Sequence, residues 1–257
     1  MPTISTSRHL LEVDQGEVEI HLASRSSSTS STRPALVIAH GFPSGVSTAE
    51  TVGRDHHLLA DRVCNESRWT AASVRLRGCG ESKGQFSLAA WYRDLAAATD
   101  FIVAESGSKM VFLAGFGTGG ALSICVGADD PRVVGVAAIA APSDFDDWAR
   151  SPDLLVAHAR TAGAITDPDH PADLDAFAEE LNTYRAIDRA EDMADRSLLV
   201  LHGSLDEVVA PLDARAVADR HGAADLRIIV GANHGLRHDP RAIAVLLGWL
   251  ETKGGSH

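Results

Sequence analysis

Basic charge is scarce in this chain: 23 lysines and arginines stand against 35 aspartates and glutamates, a formal net charge of -12. Such a surface repels polyanions, which argues against nucleic acid or an anionic membrane as partner and leaves a small neutral molecule or another protein. Cysteine is also sparse. Cys64, Cys79 and Cys125 lack C-x-x-C spacing, so neither a disulfide framework nor a zinc site is expected, and the three are read as reduced thiols in a cytoplasmic protein. No apolar run reaches the roughly eighteen residues of a membrane span, and Met1 to Val13 lacks the charged and long apolar regions of a secretory leader. There is no internal repeat and no coiled-coil heptad pattern. What 257 residues at 45% hydrophobic do supply is enough apolar material for one sizeable α/β core plus an insertion.

Short apolar runs alternate with longer segments of helical periodicity, the pattern of a mostly parallel sheet covered on both faces. Leu10 to Val13 and Val18 to Leu22, separated by the turn-forming Asp14-Gln15-Gly16-Glu17, are expected to make an antiparallel edge. Ser26 to Ser31 is read as a surface loop. Six further runs are expected as central strands: 35–39, 71–76, 110–114, 133–141, 197–201 and 226–230. Helices are expected over 49–63, 88–104, 118–126, 212–221 and 240–250, with Pro240 suited to a first helical turn. Residues 144–195, rich in Asp and Ala with several helical stretches, read as an inserted helical cap on a core of residues 1–143 and 196–257. Its apolar residues Trp148, Leu154, Leu155, Val156, Ile165, Phe177 and Leu181 either roof a pocket or pack on the core.

The chemistry concentrates in five segments. Gly115-Phe116-Gly117-Thr118-Gly119 runs from a strand straight into a helix, with small residues that permit a sharp turn. Leu199 to Asp206 is a strand ending in an acid, and Ile229 to Gly235 is a strand ending in His234. Upstream, His40-Gly41-Phe42-Pro43-Ser44-Gly45 ends another strand, and Arg77-Gly78-Cys79-Gly80-Glu81-Ser82-Lys83-Gly84 is a glycine-rich turn. Taken in order, from about Leu10 to Leu250, the chain resembles α/β hydrolases of the serine esterase and acyl-peptidase type. That resemblance implies a mostly parallel eight-stranded sheet with helices on both faces. It also implies an Asp206-His234 pair and an oxyanion hole built from the backbone N–H groups of Phe42 and Thr118.

The chain departs from that pattern at Gly117, where the nucleophilic serine belongs. Glycine has nothing to attack with, so an acyl-enzyme is excluded at this position; in a well-studied protease, loss of the triad serine costs on the order of a million-fold in turnover. Glycine also suits the positive φ of such a turn, so its presence is expected to relax the elbow. Thr118 is better suited to donating its backbone N–H than to replacing the nucleophile, and Cys79 and Ser82 read as turn residues on another loop. His40 and His202, at strand ends, are expected to hydrogen-bond nearby loops. Asp144 is expected to be the N-cap of a helix beginning near Phe145, rather than an alternative acid for His234.

Three functions remain open on these residues. The first is a pseudohydrolase that binds an ester- or acyl-like small molecule, or a partner, without covalent chemistry. The second keeps catalysis, with His234, oriented by Asp206, acting as general base on water or on the substrate. The third is a serine esterase whose nucleophile was replaced by design. A more distant alternative takes Gly115-x-Gly117-x-x-Gly120 as a dinucleotide fingerprint with Asp144 as ribose acid, but that motif opens the first strand of its domain, and here several strands precede it. No cofactor and no metal are expected, and oligomeric state is left open.

Overall fold

The computed structural model describes residues 4–14, 16–25, 33–44, 47–67 and 69–254. Gln15, Ser26 to Ser31 and Gly45 lie outside them. Eight strands form one sheet: β1 Ile4–Val13, β2 Gly16–Arg25, β3 Ala35–Ala39, β4 Thr70–Arg75, β5 Val111–Phe116, β6 Val133–Ile139, β7 Ser197–Gly203 and β8 Asp225–Ile229. Their order is β1-β2-β4-β3-β5-β6-β7-β8. Pairing is antiparallel from β1 to β2 and from β2 to β4, and parallel across the rest. The expected hairpin edge is therefore present, with Val13 opposite Gly16.

Strand β3 shows why the centre of the sheet reads as an unbroken apolar run. All five residues are buried, and alternate side chains enter two different cores, as expected for a parallel strand covered on both faces. Leu36 and Ile38 pack in a core with Phe112 of β5, with Leu59 and Val63 of α1 His56–Ser67 and with Leu246 and Trp249 of α9 Pro240–Gly254. Val37 and Ala39 share the opposite core with Trp91, Leu95 and Leu122, from α2 Leu88–Ser106 and α3 Thr118–Asp129. The last of the six runs expected to be central is instead an edge: β8 pairs with β7 and none of its residues is fully buried.

Between β6 and β7 lie α4 Asp146–Arg150, α5 Pro152–Ala162, α6 Leu174–Leu181 and α7 Ala186–Arg189, and α8 Pro211–His221 precedes β8. Helices α4, α5 and α6 pack on one another, whereas α7 packs on α3 and α8. Leu155, Val156, Ile165, Phe177 and Leu181 are buried in the α2–α3 core, and Leu154 points outward. Two local expectations are corrected. The helix expected from Ala49 begins at His56, because 49–55 form turns and Gly53 sits at φ 70°, outside helical backbone. The N-cap position of α4 is Phe145, not Asp144; the Asp144 carboxylate accepts from the Asp146 N–H one step further back.

Among the described residues no helix is long and apolar enough to cross a membrane. Among those residues, too, no group of three or more His, Cys, Asp or Glu is placed to hold a metal ion.

Candidate active site

The turn from β5 to α3 is pinned by backbone. Gly117 N–H donates to Ile139 O of the neighbouring strand at 2.8 Å, and Gly120 N–H donates back to Gly117 O at 2.9 Å. Gly117 has φ 53° and ψ -125°, a conformation that residues with a Cβ occupy only under strain. The flanking glycines answer a different need, close packing of backbone. A Cβ on Gly115 would lie 2.1 Å from Gly119 O, and one on Gly119 would lie 2.3 Å from His40 O. Of the glycines that suggest a dinucleotide fingerprint, Gly115 and Gly120 are explained by chain packed against chain, a Cβ on Gly120 lying 2.8 Å from Gly115 O, and Gly117 by its positive φ.

At Gly117 itself there is room. A Cβ would meet only Gly41 Cα at 3.6 Å, His234 Nε2 at 3.7 Å and His234 Cε1 at 4.0 Å, ordinary van der Waals contacts. Gly117, Gly41 and His234, read from three distant stretches of sequence, therefore converge on one point.

His234 is aimed by Asp206. Its Nδ1–H donates to Asp206 Oδ2 at 2.9 Å, and the imidazole remains about a quarter exposed while the carboxylate is fully buried. Asp206 Oδ1 accepts the N–H groups of Val208 and Val209, each at 2.9 Å. The carboxylate loop is tied to the histidine loop through Leu205 N–H to Ala232 O at 2.8 Å and Gly231 N–H to Ser204 Oγ at 2.9 Å. Burial raises the Asp206 pKa, but the donors from His202, His234 and the Val209 N–H outweigh it and hold the carboxyl well below the usual carboxylate range.

The donor that sequence reasoning missed is His202. Its place at a strand end predicts a bond to a nearby loop, and it does reach Val209 O at 3.0 Å; its Nε2 also lies 3.1 Å from Asp206 Oδ2, with both side chains fully buried. Two acceptors around Nε2 place the proton there. The signal was available in the four-residue spacing of His202-Gly203-Ser204-Leu205-Asp206 across a tight strand-end turn.

The loop after β3 is fixed by the other buried histidine. His40 Nδ1–H donates to Gly41 O at 2.8 Å, and Nε2 accepts the Leu76 N–H at 2.9 Å. Burial lowers its pKa to about 4, so at neutral pH it is the uncharged ring these two bonds require. Among the described residues, neither the Phe42 N–H nor the Thr118 N–H has a hydrogen-bond acceptor. The Phe42 ring lies 4.6 Å from Phe86 and 5.2 Å from Trp148 of α4, and His158 of α5 bonds Pro43 O at 3.0 Å.

The other hydroxyl and thiol candidates are occupied. Ser82 Oγ donates to Arg75 O and accepts the Glu19 N–H. Cys79 is buried, and burial pushes its thiol up to about 12, far from the thiolate a nucleophile needs. Thr118 is buried as the first residue of α3.

An eight-stranded, mostly parallel sheet with an Asp-His pair and a strand-to-helix elbow at the carboxyl ends of its strands defines an α/β hydrolase. The family model for serine aminopeptidase, S33, matches residues 30–166, and the chain belongs to that family. Among solved structures it resembles Est1E from Butyrivibrio proteoclasticus with ferulic acid bound (TM-score 0.73, 18% identity, 95% of this chain and 96% of that one). It also resembles proline iminopeptidase from Mycobacterium smegmatis (0.64, 18%, 96% and 98%) and an alpha-beta serine hydrolase homologue from Coxiella burnetii (0.60, 16%, 96% and 96%). No curated protein matches the sequence.

Proposed function

We propose that this protein is a pseudohydrolase: it retains the hydrolase site, with the nucleophile position vacant at Gly117, and binds an ester- or acyl-like small molecule without forming an acyl-enzyme. The observation that carries this is the 3.7 Å between His234 Nε2 and a Cβ at position 117. A hydroxyl one bond beyond that Cβ falls within reach of the imidazole, and glycine puts nothing there. In this account Asp206 orients His234, the Phe42 and Thr118 N–H groups receive a carbonyl oxygen, and α4 to α6, within a cap of residues 144–195, cover the ligand. The ferulic acid bound to Est1E is a molecule of the kind proposed. Three free, buried cysteines fit a cytoplasmic setting.

The experiment is ligand binding against turnover. A panel of p-nitrophenyl and hydroxycinnamoyl esters is titrated by intrinsic tryptophan fluorescence and assayed for hydrolysis in parallel. Saturable binding without a covalent intermediate is expected; absence of binding across the panel refutes the ligand assignment. A second function is favoured by one specific feature: His234 Nε2 lies 3.7 Å from the Cβ position of Gly117 and has no partner among the described residues. There it acts as general base on a water, and slow hydrolysis that His234→Ala abolishes would distinguish this function from simple binding.

A further inference from the structure

An open sheet ends in two edges, and natural sheets blunt them with lysine, proline, a bulge or a covering segment. Strand β8, Asp225-Leu226-Arg227-Ile228-Ile229, has none of these within it. Its register with β7 is unbroken, and among the described residues no strand pairs with its outer side. Its two charges cancel, Arg227 Nη2 lying 2.9 Å from Asp225 Oδ1. Beside its carboxyl end Val230 is 78% exposed and Leu205 62%. In a chain of net charge -12, a neutral and partly apolar edge is a place where two copies meet without the general repulsion between them.

The backbone and the charges together select one way of meeting. Ile229 C=O faces β7, accepting the Ser204 N–H at 3.1 Å, so alternation along the strand turns the N–H and C=O of Leu226 and Ile228 outwards, with those of Ala224 before them and Val230 after. A two-fold antiparallel pairing centred on Arg227 sets two guanidinium groups opposite each other, and one centred on Asp225 does the same with two carboxylates; both are destabilising. Centred on Ile228, the pairing calls on Val230 O, which already accepts Arg241 Nη1 at 2.9 Å. Centred on Leu226, it sets Asp225 opposite the partner's Arg227, on the same face of the sheet, once on each side of the axis.

We propose that two copies of this chain associate through β8, antiparallel strand to strand about a two-fold axis at Leu226, joining their two sheets into one. Leu226 and the partner's Leu226 exchange two backbone hydrogen bonds, and Ile228 pairs in the same way with the partner's Ala224. Asp225 and the partner's Arg227 occupy a position without ladder bonds, where facing Cα atoms are about 4.5 Å apart and side chains are closest. A strand-to-strand contact of this kind is isologous, so it closes at two copies. The axis reverses the strand direction, so the two Gly117 sites open at opposite ends of the joined sheet, and the association is independent of what those sites bind.

The test is sedimentation equilibrium of the full chain from about 1 to 100 μM, where a dissociation constant of about 10 μM or tighter gives mostly twice the chain mass at the upper end. Arg227→Asp brings carboxylates together on both sides of the axis and should weaken association about tenfold or more. The exchange Asp225→Arg with Arg227→Asp restores opposite charges and should restore it. Because Arg227 and Asp225 are 58% and 38% exposed, these variants should fold, which circular dichroism checks. Leu226→Cys reads the register without altering charge: facing Cα atoms about 5.5 Å apart lie within disulfide range, so it should crosslink to itself on oxidation. A chain that stays monomeric to about 100 μM, an association unchanged in folded Arg227→Asp, or a dimer in which Leu226→Cys does not crosslink overturns the proposal.

Discussion

Replacing Gly117 with serine is the perturbation whose consequences follow most fully from the structure. The Cβ enters open space, its nearest neighbours at 3.6 Å and 3.7 Å, so no steric rearrangement is needed. The cost is the backbone: a non-glycine residue at φ 53° and ψ -125° carries about 1–3 kcal/mol of strain, or roughly 2–12 °C in Tm for a chain of this length. In return the hydroxyl arrives beside His234 Nε2, with the imidazole already held by Asp206. Gly117→Ser should therefore be less stable than the wild type and more reactive. It should label with a fluorophosphonate at residue 117, show a burst of p-nitrophenol from short esters, and gain up to about a million-fold in turnover if the rest of the machinery is competent. A well-folded Gly117→Ser protein, confirmed by its melt and near-UV circular dichroism, that neither labels nor shows a burst would refute the claim that the acid, base and oxyanion donors are in working geometry.

Three other variants test separate parts of the account. Gly115→Ala places a methyl 2.1 Å from Gly119 O, and denaturant unfolding should show a loss of about 2 kcal/mol or more from forced backbone movement; a loss below about 0.5 kcal/mol contradicts the packing explanation of the glycines. The Asp206 carboxyl is depressed in the folded state, so its stabilisation is complete above the unfolded value of about 3.9 and is lost as pH falls below it toward the folded value; acid unfolding of Asp206→Asn should be shallower through that window than that of the wild type, and identical profiles count against the four-donor carboxylate. Arg77 and Asp94 form a bidentate pair with side chains 3% and 0% exposed, and Asp94→Ala leaves Arg77 buried and unpaired, a loss of about 3–5 kcal/mol that a thermal melt should register.

The sequence reveals the sheet well because its signals are local. Strand β3 coincides with the run Ala35 to Ala39, and the elbow, Asp206 and His234 each follow a strand end, where a period-2 or fully apolar run stops. The breaks are where tertiary contacts override periodicity. The turns over residues 49–55 look helical until Gly53, held against the His40 ring, adopts its positive φ. The second donor on Asp206 was hidden because a strand-end histidine has many ordinary partners, and only the fold of the 203–209 turn shows that one of them is the acid itself. The aromatic packing of Phe42 with Phe86 and Trp148 joins three distant segments and carries no sequence signature at all.

The central claim is that this site forms no acyl-enzyme, and intact-mass spectrometry of the wild-type protein after prolonged incubation with a fluorophosphonate and with p-nitrophenyl acetate tests it directly. The account predicts an unmodified mass under conditions in which Gly117→Ser takes up one equivalent. An adduct on the wild-type chain that maps to Thr118, Ser82 or Cys79 and disappears in His234→Ala would contradict it.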